Sequence, residues 1–170
     1  HTNVYGTAMF RFRERDFEGI EHADGKTMRW PVRYADLEPW YGEAESLFGV
    51  HGKAGDDPTE PPRSTPYPYA PIPHEPIIGR AFERLRALGL HPFHMPSAVD
   101  LHPGGTCIRC GTCDAFPCRV GAKGDAETRL IDPALKHSNV ALQTGSEVTR
   151  LISDERSKRI VAAEYRHGGK

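Results

Sequence analysis

Four sulfurs packed into twelve residues constrain this chain more than any other feature. Cys107, Cys110, Cys113 and Cys118 form a C-x2-C-x2-C-x4-C run, and the remainder of the 170 residues holds no cysteine. A C-x-x-C spacing turns the chain back so that two thiols can face one point. Here two such spacings overlap at Cys110, and a fourth sulfur follows after Asp-Ala-Phe-Pro. Sulfurs gathered in this way bind a metal or cluster, cross-link, or stay as free thiols beside reactive chemistry. The spacing leaves these alternatives open. It leaves the compartment open as well, because a metal site and a disulfide imply opposite redox settings.

The bulk properties exclude some partners. A formal net charge of -1 points to neither nucleic acid nor an anionic membrane surface. No apolar run approaches the ~20 residues of a membrane span. The sequence opens at His1 with no basic-then-apolar leader, which reads as a piece cut from something longer. With 38% hydrophobic residues, 17 glycines and 15 prolines, the expected core is small and the connections are irregular.

Periodicity and punctuation give the elements. Gly6 turns the chain into an alternation of Phe10 and Phe12 with Arg11 and Arg13, which predicts a short half-buried strand. Arg11, Arg13 and Arg15 interleave with Glu14, Asp16 and Glu18 as a solvated, salt-bridged face. Asp24-Gly25 marks a turn. Apolar residues recurring at three and four predict a helix between Asp36, as N-cap, and Gly49. Residues Pro58 to Pro76 carry eight of the fifteen prolines and read as an extended segment over a surface, with Tyr67 and Tyr69 packing beneath. A second amphipathic helix starts near Pro76 and stops at Gly89. Leu90 to Val99 is expected to be extended, and Gly104-Gly105 opens the cysteine window. A short helix over Thr128–Lys136 tolerates Pro133 only in its first turn. Val140–Gly145, Glu147–Asp154 and Arg159–Arg166 read as strands of a small meander. His91 and His94 read as surface or structural histidines, while His102 lies nearest the cysteines.

Several segments then converge on one family. Arg29-Trp-Pro-Val-Arg-Tyr-Ala-Asp-Leu-Glu-Pro-Trp-Tyr41 with Glu43-Ala-Glu45, Gly121-Ala-Lys123, and Leu142-Gln-Thr-Gly-Ser-Glu-Val148 resemble the glucose–methanol–choline (GMC) flavoprotein oxidoreductases, in that family's order. His1 to Gly6 resembles the stretch that runs beside the flavin ring. The resemblance implies an α+β fragment of a two-domain FAD flavoprotein: substrate-domain elements plus the small β-meander of the FAD-binding domain. The Rossmann phosphate-binding core is missing, since no G-x-G-x-x-G is present. Residues 1–22 would then be the flavin-facing segment. Residues 23–127 would be a substrate-side cap with the proline-rich segment 58–76 and the cysteines 107–118, and 128–170 the FAD-domain helix and meander. The implied activity is oxidation of CH–OH groups of alcohols or sugars by hydride transfer to flavin. Carried over by position, Thr2, Asn3, Val4, Tyr5 and Gly6 line the isoalloxazine, and the backbone of Val148 holds the adenine edge. Val4 stands where some members attach FAD through histidine, so the flavin is expected to be non-covalent; Tyr5 stands where asparagine or histidine is common. The family's catalytic histidine and its partner fall in a late segment with no counterpart in this sequence, so no catalytic residue is assigned here. This piece is not expected to turn over substrate alone.

Reduced flavin must pass on two electrons, and an iron–sulfur cluster is a suitable one-electron relay. The cysteine run is close to the bacterial ferredoxin spacing, one residue longer and with Pro117 before the last cysteine. Cys118-Arg-Val-Gly-Ala also matches the end of the cysteine-rich segment in cluster-bearing sugar dehydrogenases of the family. The expected partners are thus a small alcohol or sugar and an electron acceptor. The competing reading is a self-contained cysteine module that binds zinc or iron–sulfur for electron transfer or docking, without flavin. Such a module should cover its own strand faces, whereas a flavoprotein piece should leave apolar strand faces bare.

Overall fold

The structure, a computed structural model, describes residues 2–168. It is α+β and separates into two units, His1–Pro133 and Ala134–Lys170.

The first unit is built around very short strands. Strand β1 (Glu21–His22) and β2 (Gly25–Lys26) form a hairpin across the expected Asp24-Gly25 turn. Helix α1 (Tyr34–Phe48) ends at Gly49, whose φ of 67° is the left-handed conformation that glycine adopts without a Cβ penalty. Asp36 lies inside the first turn rather than at the cap, and accepts a 2.9 Å hydrogen bond from the Arg33 N–H. Strand β3 (Val50–His51) follows at once and pairs antiparallel with β4 (Ser97–Ala98). Single bridges add Ala8 to Ser97, Tyr69 to His51 and Lys123 to Val99. The amino-terminal segment, the proline-rich segment and the region after the cysteines therefore all meet at this one ladder. Close approach there requires small residues: a Cβ on Gly124 would lie 2.5 Å from the Phe48 carbonyl oxygen and 2.9 Å from the Ala98 Cβ.

The proline-rich segment is extended, as its prolines require, and both tyrosines pack beneath it. Tyr67 lies against Gly52, and Tyr69 is stacked between His51 and His102 at centroid distances of 5.0 and 4.8 Å. Helix α2 (Pro76–Ala87) begins on Pro76 and buries only Phe82. The helix expected over Thr128–Lys136 is a π-helical turn, Glu127–Ile131, running into the helical turn α3 (Asp132–Ala134).

The alternation at Phe10–Arg13 is inverted relative to expectation. Phe10 and Phe12 are 47% and 53% exposed, Arg11 is buried, and no strand forms. The cause lies in α1, which presents Glu38 and Glu45, two turns apart, to this segment. Arg11 clasps Glu45 with two 2.8 Å bonds and donates to Tyr34 Oη (2.9 Å) and Glu38 Oε1 (3.0 Å). Arg63 extends the network from Glu45 (2.8 Å) to Glu60 (3.0 Å), which also accepts from Tyr67 Oη. These bonds outweigh the desolvation of the Arg11 guanidinium and raise its pKa, so it stays charged. Arg13 pairs with Asp57, so the expected solvated face does not extend over these two arginines. Among the described residues, seven apolar and seven polar or charged side chains are buried. With so few apolar groups inside, the ion-pair network takes over part of a core's role.

The second unit is a long antiparallel hairpin, β5 (Ser146–Asp154) with β6 (Arg159–His167). Register shifts fall between Val148 and Arg150 and between Ile152 and Ser153. Residues 140–145 form no strand, so the meander has two strands rather than three. Every residue of β6 is exposed, including Ile160, Val161 and Tyr165.

Removing one member of a buried ion network leaves the others unpaired, a loss of about 3–5 kcal/mol. Arg11→Met in the full-length protein is therefore expected to lower the unfolding free energy obtained from urea titration by that amount, and the midpoint with it. The exposed Arg15→Met is expected to stay within about 0.5 kcal/mol of the parent. Equal midpoints for the two variants would remove the network from this account.

Candidate functional site

Thr2 to Tyr5 is tied down residue by residue to the segment 115–127. Thr2 Oγ1 accepts from the Ala126 N–H (3.0 Å), and Asn3 Nδ2 donates to Glu127 Oε2 (2.7 Å). The Val4 carbonyl accepts from the Ala115 N–H (2.8 Å), and Tyr5 Oη donates to the Gly124 carbonyl (2.5 Å). At the centre sits Lys123, 1% exposed. Its Nζ faces four backbone carbonyls: Asn3 and Tyr5, each at 2.9 Å, Phe116 at 2.7 Å and Cys113 at 2.5 Å. The same ammonium lies 5.7 Å from the centroid of the Tyr5 ring, within cation–π range.

This arrangement sorts the residues expected to line a flavin. The side chains of Thr2, Asn3 and Tyr5 point into the unit and are spoken for, which leaves their backbone for any outside contact. Burial, reinforced by Asp125 and Cys113 against an opposing Arg129, pushes the Tyr5 phenol up to about 12. It therefore remains a neutral donor to Gly124. Val4 is 41% exposed, and a Cβ placed on Gly6 would meet only Asp114 at an ordinary 3.5 Å. The uncovered side of the segment thus carries the apolar Val4 side chain, against which a flat ring can pack, with the exposed Asp114 carboxyl beside Gly6. Val148, in the second unit, is 59% exposed beside the register shift in β5. His1 lies outside the described residues.

The cysteine loop is irregular, with left-handed backbone at Arg109, Gly111 and Ala115. Backbone N–H groups reach two of the sulfurs: Arg109 to Cys107 Sγ at 3.5 Å and Ala122 to Cys118 Sγ at 3.3 Å. All four cysteines are free. Cys113 is the hub: burial raises its pKa, and neighbouring Cys107, Cys110 and Cys118 raise it further against an opposing Lys123. The exposed Cys110 thiol is lowered by the Thr112 hydroxyl, 3.2 Å away. Burial opposes the lowering of Cys118, but the backbone N–H groups of Val120, Ala122 and Lys123 outweigh it. Among the described residues, no three His, Cys, Asp or Glu side chains are arranged around a common metal position. The donor chemistry suits a soft metal, whereas this geometry has not gathered the sulfurs onto one point.

His94 and His102 serve ring stacking and contact with a carboxylate. His94 Nδ1 lies 2.7 Å from Asp56 and its ring stacks on His74 at 4.3 Å. His102 Nε2 lies 2.8 Å from Asp100. Lys123 is the residue that sequence reasoning used only as a motif letter. Its signal was a single cation flanked by Gly121, Ala122 and Gly124, whose small size admits backbone from several sides.

Thiolate, not thiol, reacts with alkylating agents. In reduced, chelator-treated protein, iodoacetamide is therefore expected to label Cys110 before Cys113, and at lower pH. Thr112→Val should raise the pH at which Cys110 reacts. Mass spectrometry of the labelled peptides checks the order, and Cys113 reacting first would contradict it.

Comparison with known proteins agrees with the family expectation. Residues 95–170 match the family described as GMC oxidoreductase. The chain is 38% identical over 161 residues to a 6'''-hydroxyparomomycin C oxidase of Streptomyces lividus, covering 90% of this chain and 29% of that protein. It is 34% identical over 158 residues to a paromamine 6'-oxidase of Streptomyces fradiae, covering 90% of this chain and 28% of that protein. A gluconate 2-dehydrogenase flavoprotein of Pantoea cypripedii shares 25% identity over 167 residues, covering 85% of this chain and 27% of that protein. The chain thus spans less than a third of the length of these curated relatives. The match over residues 95–170, together with alignments that run through most of the remaining sequence, supports a piece of a GMC oxidoreductase.

Proposed function

We propose that these residues form part of an FAD-dependent oxidoreductase that acts on CH–OH groups of sugars, amino sugars or polyols. The observation that carries this reading is the clamped segment Thr2–Tyr5. The carbonyls of Asn3, Val4 and Tyr5 are turned inward onto Lys123 and Ala115, and the Val4 side chain is left exposed to meet an apolar ring. When bound, non-covalent flavin supplies the hydride acceptor. Thr2, Asn3, Val4, Tyr5 and Gly6 provide a rigid backbone wall for it, of the kind that positioning a donor carbon requires. Val148 is assigned to the adenine edge, and the register shift beside it, which leaves the ladder irregular there, supports that assignment. The oxidases and dehydrogenases among the relatives, with hydroxyparomomycin, paromamine, gluconate, propanediol and fructose in their names, support the substrate class. The base that takes the hydroxyl proton is assigned to a residue outside this sequence.

The bare apolar faces of β5 and β6 favour this reading over a self-contained cysteine module, which would cover its own strands. Residues 1–22, 23–127 and 128–170 are accordingly assigned to the flavin-facing segment, the substrate-side cap and the FAD-domain meander. Cys107, Cys110, Cys113 and Cys118 are proposed as ligands of an iron–sulfur relay, a reading supported by their spacing and by the N–H···S bonds from Arg109 and Ala122, although the structure does not gather the four sulfurs onto one point.

The full-length protein is expected to be yellow and to release all its flavin on acid precipitation. A sugar or polyol should bleach it anaerobically. A colourless, fully folded protein, or flavin retained in the precipitate, would contradict the proposal. Anaerobic preparations are expected to contain iron and acid-labile sulfide, both lost in Cys113→Ser; zinc alone, or no metal, would remove the relay.

A further inference from the structure

The ammonium of Lys123 joins two pieces of backbone that nothing in the proposed chemistry links directly. Asn3 and Tyr5 belong to the segment assigned to the flavin, whereas Cys113 and Phe116 belong to the thiol loop. An ammonium has three protons, and here four carbonyl oxygens surround it. Every one of its hydrogen bonds is therefore committed, and a carbonyl that moves must be followed by the others or leave a buried charge under-paired. The Ala115 N–H bond to the Val4 carbonyl is the second tie, and it lies between the two loop carbonyls held by the lysine. Displacement of the loop around Cys113 must therefore reach the backbone of Asn3–Tyr5.

We infer that Lys123 is a positioning residue that couples the cysteine loop to the flavin-facing segment Thr2–Tyr5, so that flavin binding and the accessibility of the Cys113 thiol respond to each other. The inference rests on the flavin assignment made above. Linkage makes the coupling reciprocal: a flavin that fixes Asn3–Tyr5 also fixes the loop, and loosening the loop weakens the hold on flavin. The Lys123 ammonium holds carbonyls rather than a sulfur, and its charge also acts through space on the Cys113 thiol. The coupling is therefore read as the effect of FAD within each variant, not as a difference in labelling between variants.

The test uses the full-length protein, reduced and stripped of metal by chelation, with and without saturating FAD. Iodoacetamide labelling of Cys113 is followed by mass spectrometry, and bound flavin by its visible circular dichroism. In the parent protein FAD is expected to slow labelling by about fivefold or more, within the usual range of site–site coupling. In Lys123→Met, which keeps the stem and removes the charge, FAD should still bind. The slowing should fall to within about twofold, at the edge of measurable coupling, and the flavin dichroism should change. Should Lys123→Met fail to fold, Lys123→Ala with added propylammonium replaces it, since this ion restores the missing stem and charge. Return of the slowing and of the parental dichroism with propylammonium supports the inference, and no return overturns it. Undiminished slowing in Lys123→Met overturns the inference while the flavin reading stands. A parent protein that binds FAD without any slowing does the same. A parent that takes up no FAD overturns both, and the missing visible absorption identifies that case.

Discussion

A buried ammonium held by four backbone carbonyls organises the part of this molecule that is proposed to face the flavin. Taking such a charge out of water costs several kcal/mol unless its hydrogen bonds are replaced. Lys123 replaces them with the carbonyls of Asn3, Tyr5, Cys113 and Phe116, residues more than a hundred positions apart in sequence at the extremes. Three protons shared among four oxygens leave the cluster little freedom to rearrange. The backbone bridge from Lys123 to Val99 then fixes the lysine to the central ladder, next to the Val50–Ala98 pair that is fully buried. Amino-terminal segment, thiol loop and ladder thereby share one anchor.

The same economy governs the other side of the unit. Few apolar side chains are inside, and the space between the amino-terminal segment, α1 and the proline-rich segment is filled by Arg11, Arg63, Glu38, Glu45 and Glu60 with two tyrosine hydroxyls. Networks of this kind specify geometry more sharply than they add stability, because each member has only one satisfactory arrangement. That suits a scaffold whose task is to present a stretch of backbone to a ligand. It also explains why prolines are tolerated in such number: an extended segment without ladder partners on one side can still donate and accept through side chains.

The sequence was most legible where one residue type dictates backbone conformation. Gly49 and Gly89 ended helices, Pro76 began one, the Asp24-Gly25 turn closed a hairpin, and the proline run was extended with its tyrosines underneath. It was least legible where burial depended on a distant partner. Alternation at Phe10–Arg13 predicts phenylalanines inside, yet Arg11 is inside because Glu38 and Glu45 wait on a helix whose facing could not be known. Residues 140–145 have strand composition but find no third neighbour in the hairpin unit. At the proposed site, position in a motif nominated Thr2–Gly6 and the four cysteines. It gave no hint that Lys123 would join them, since hydrogen bonds to backbone carbonyls leave no mark on the identity of the accepting residues.

The most direct test of the central claim is the crystal structure of the full-length protein with flavin bound. The account predicts the ring in van der Waals contact, about 3.5–4.0 Å, with the backbone of Val4–Gly6 on the side away from Lys123. Lys123 Nζ should still lie among the carbonyls of Asn3, Tyr5, Cys113 and Phe116. A ring bound elsewhere, or a lysine turned out to solvent while Thr2–Tyr5 keeps its place, would contradict it.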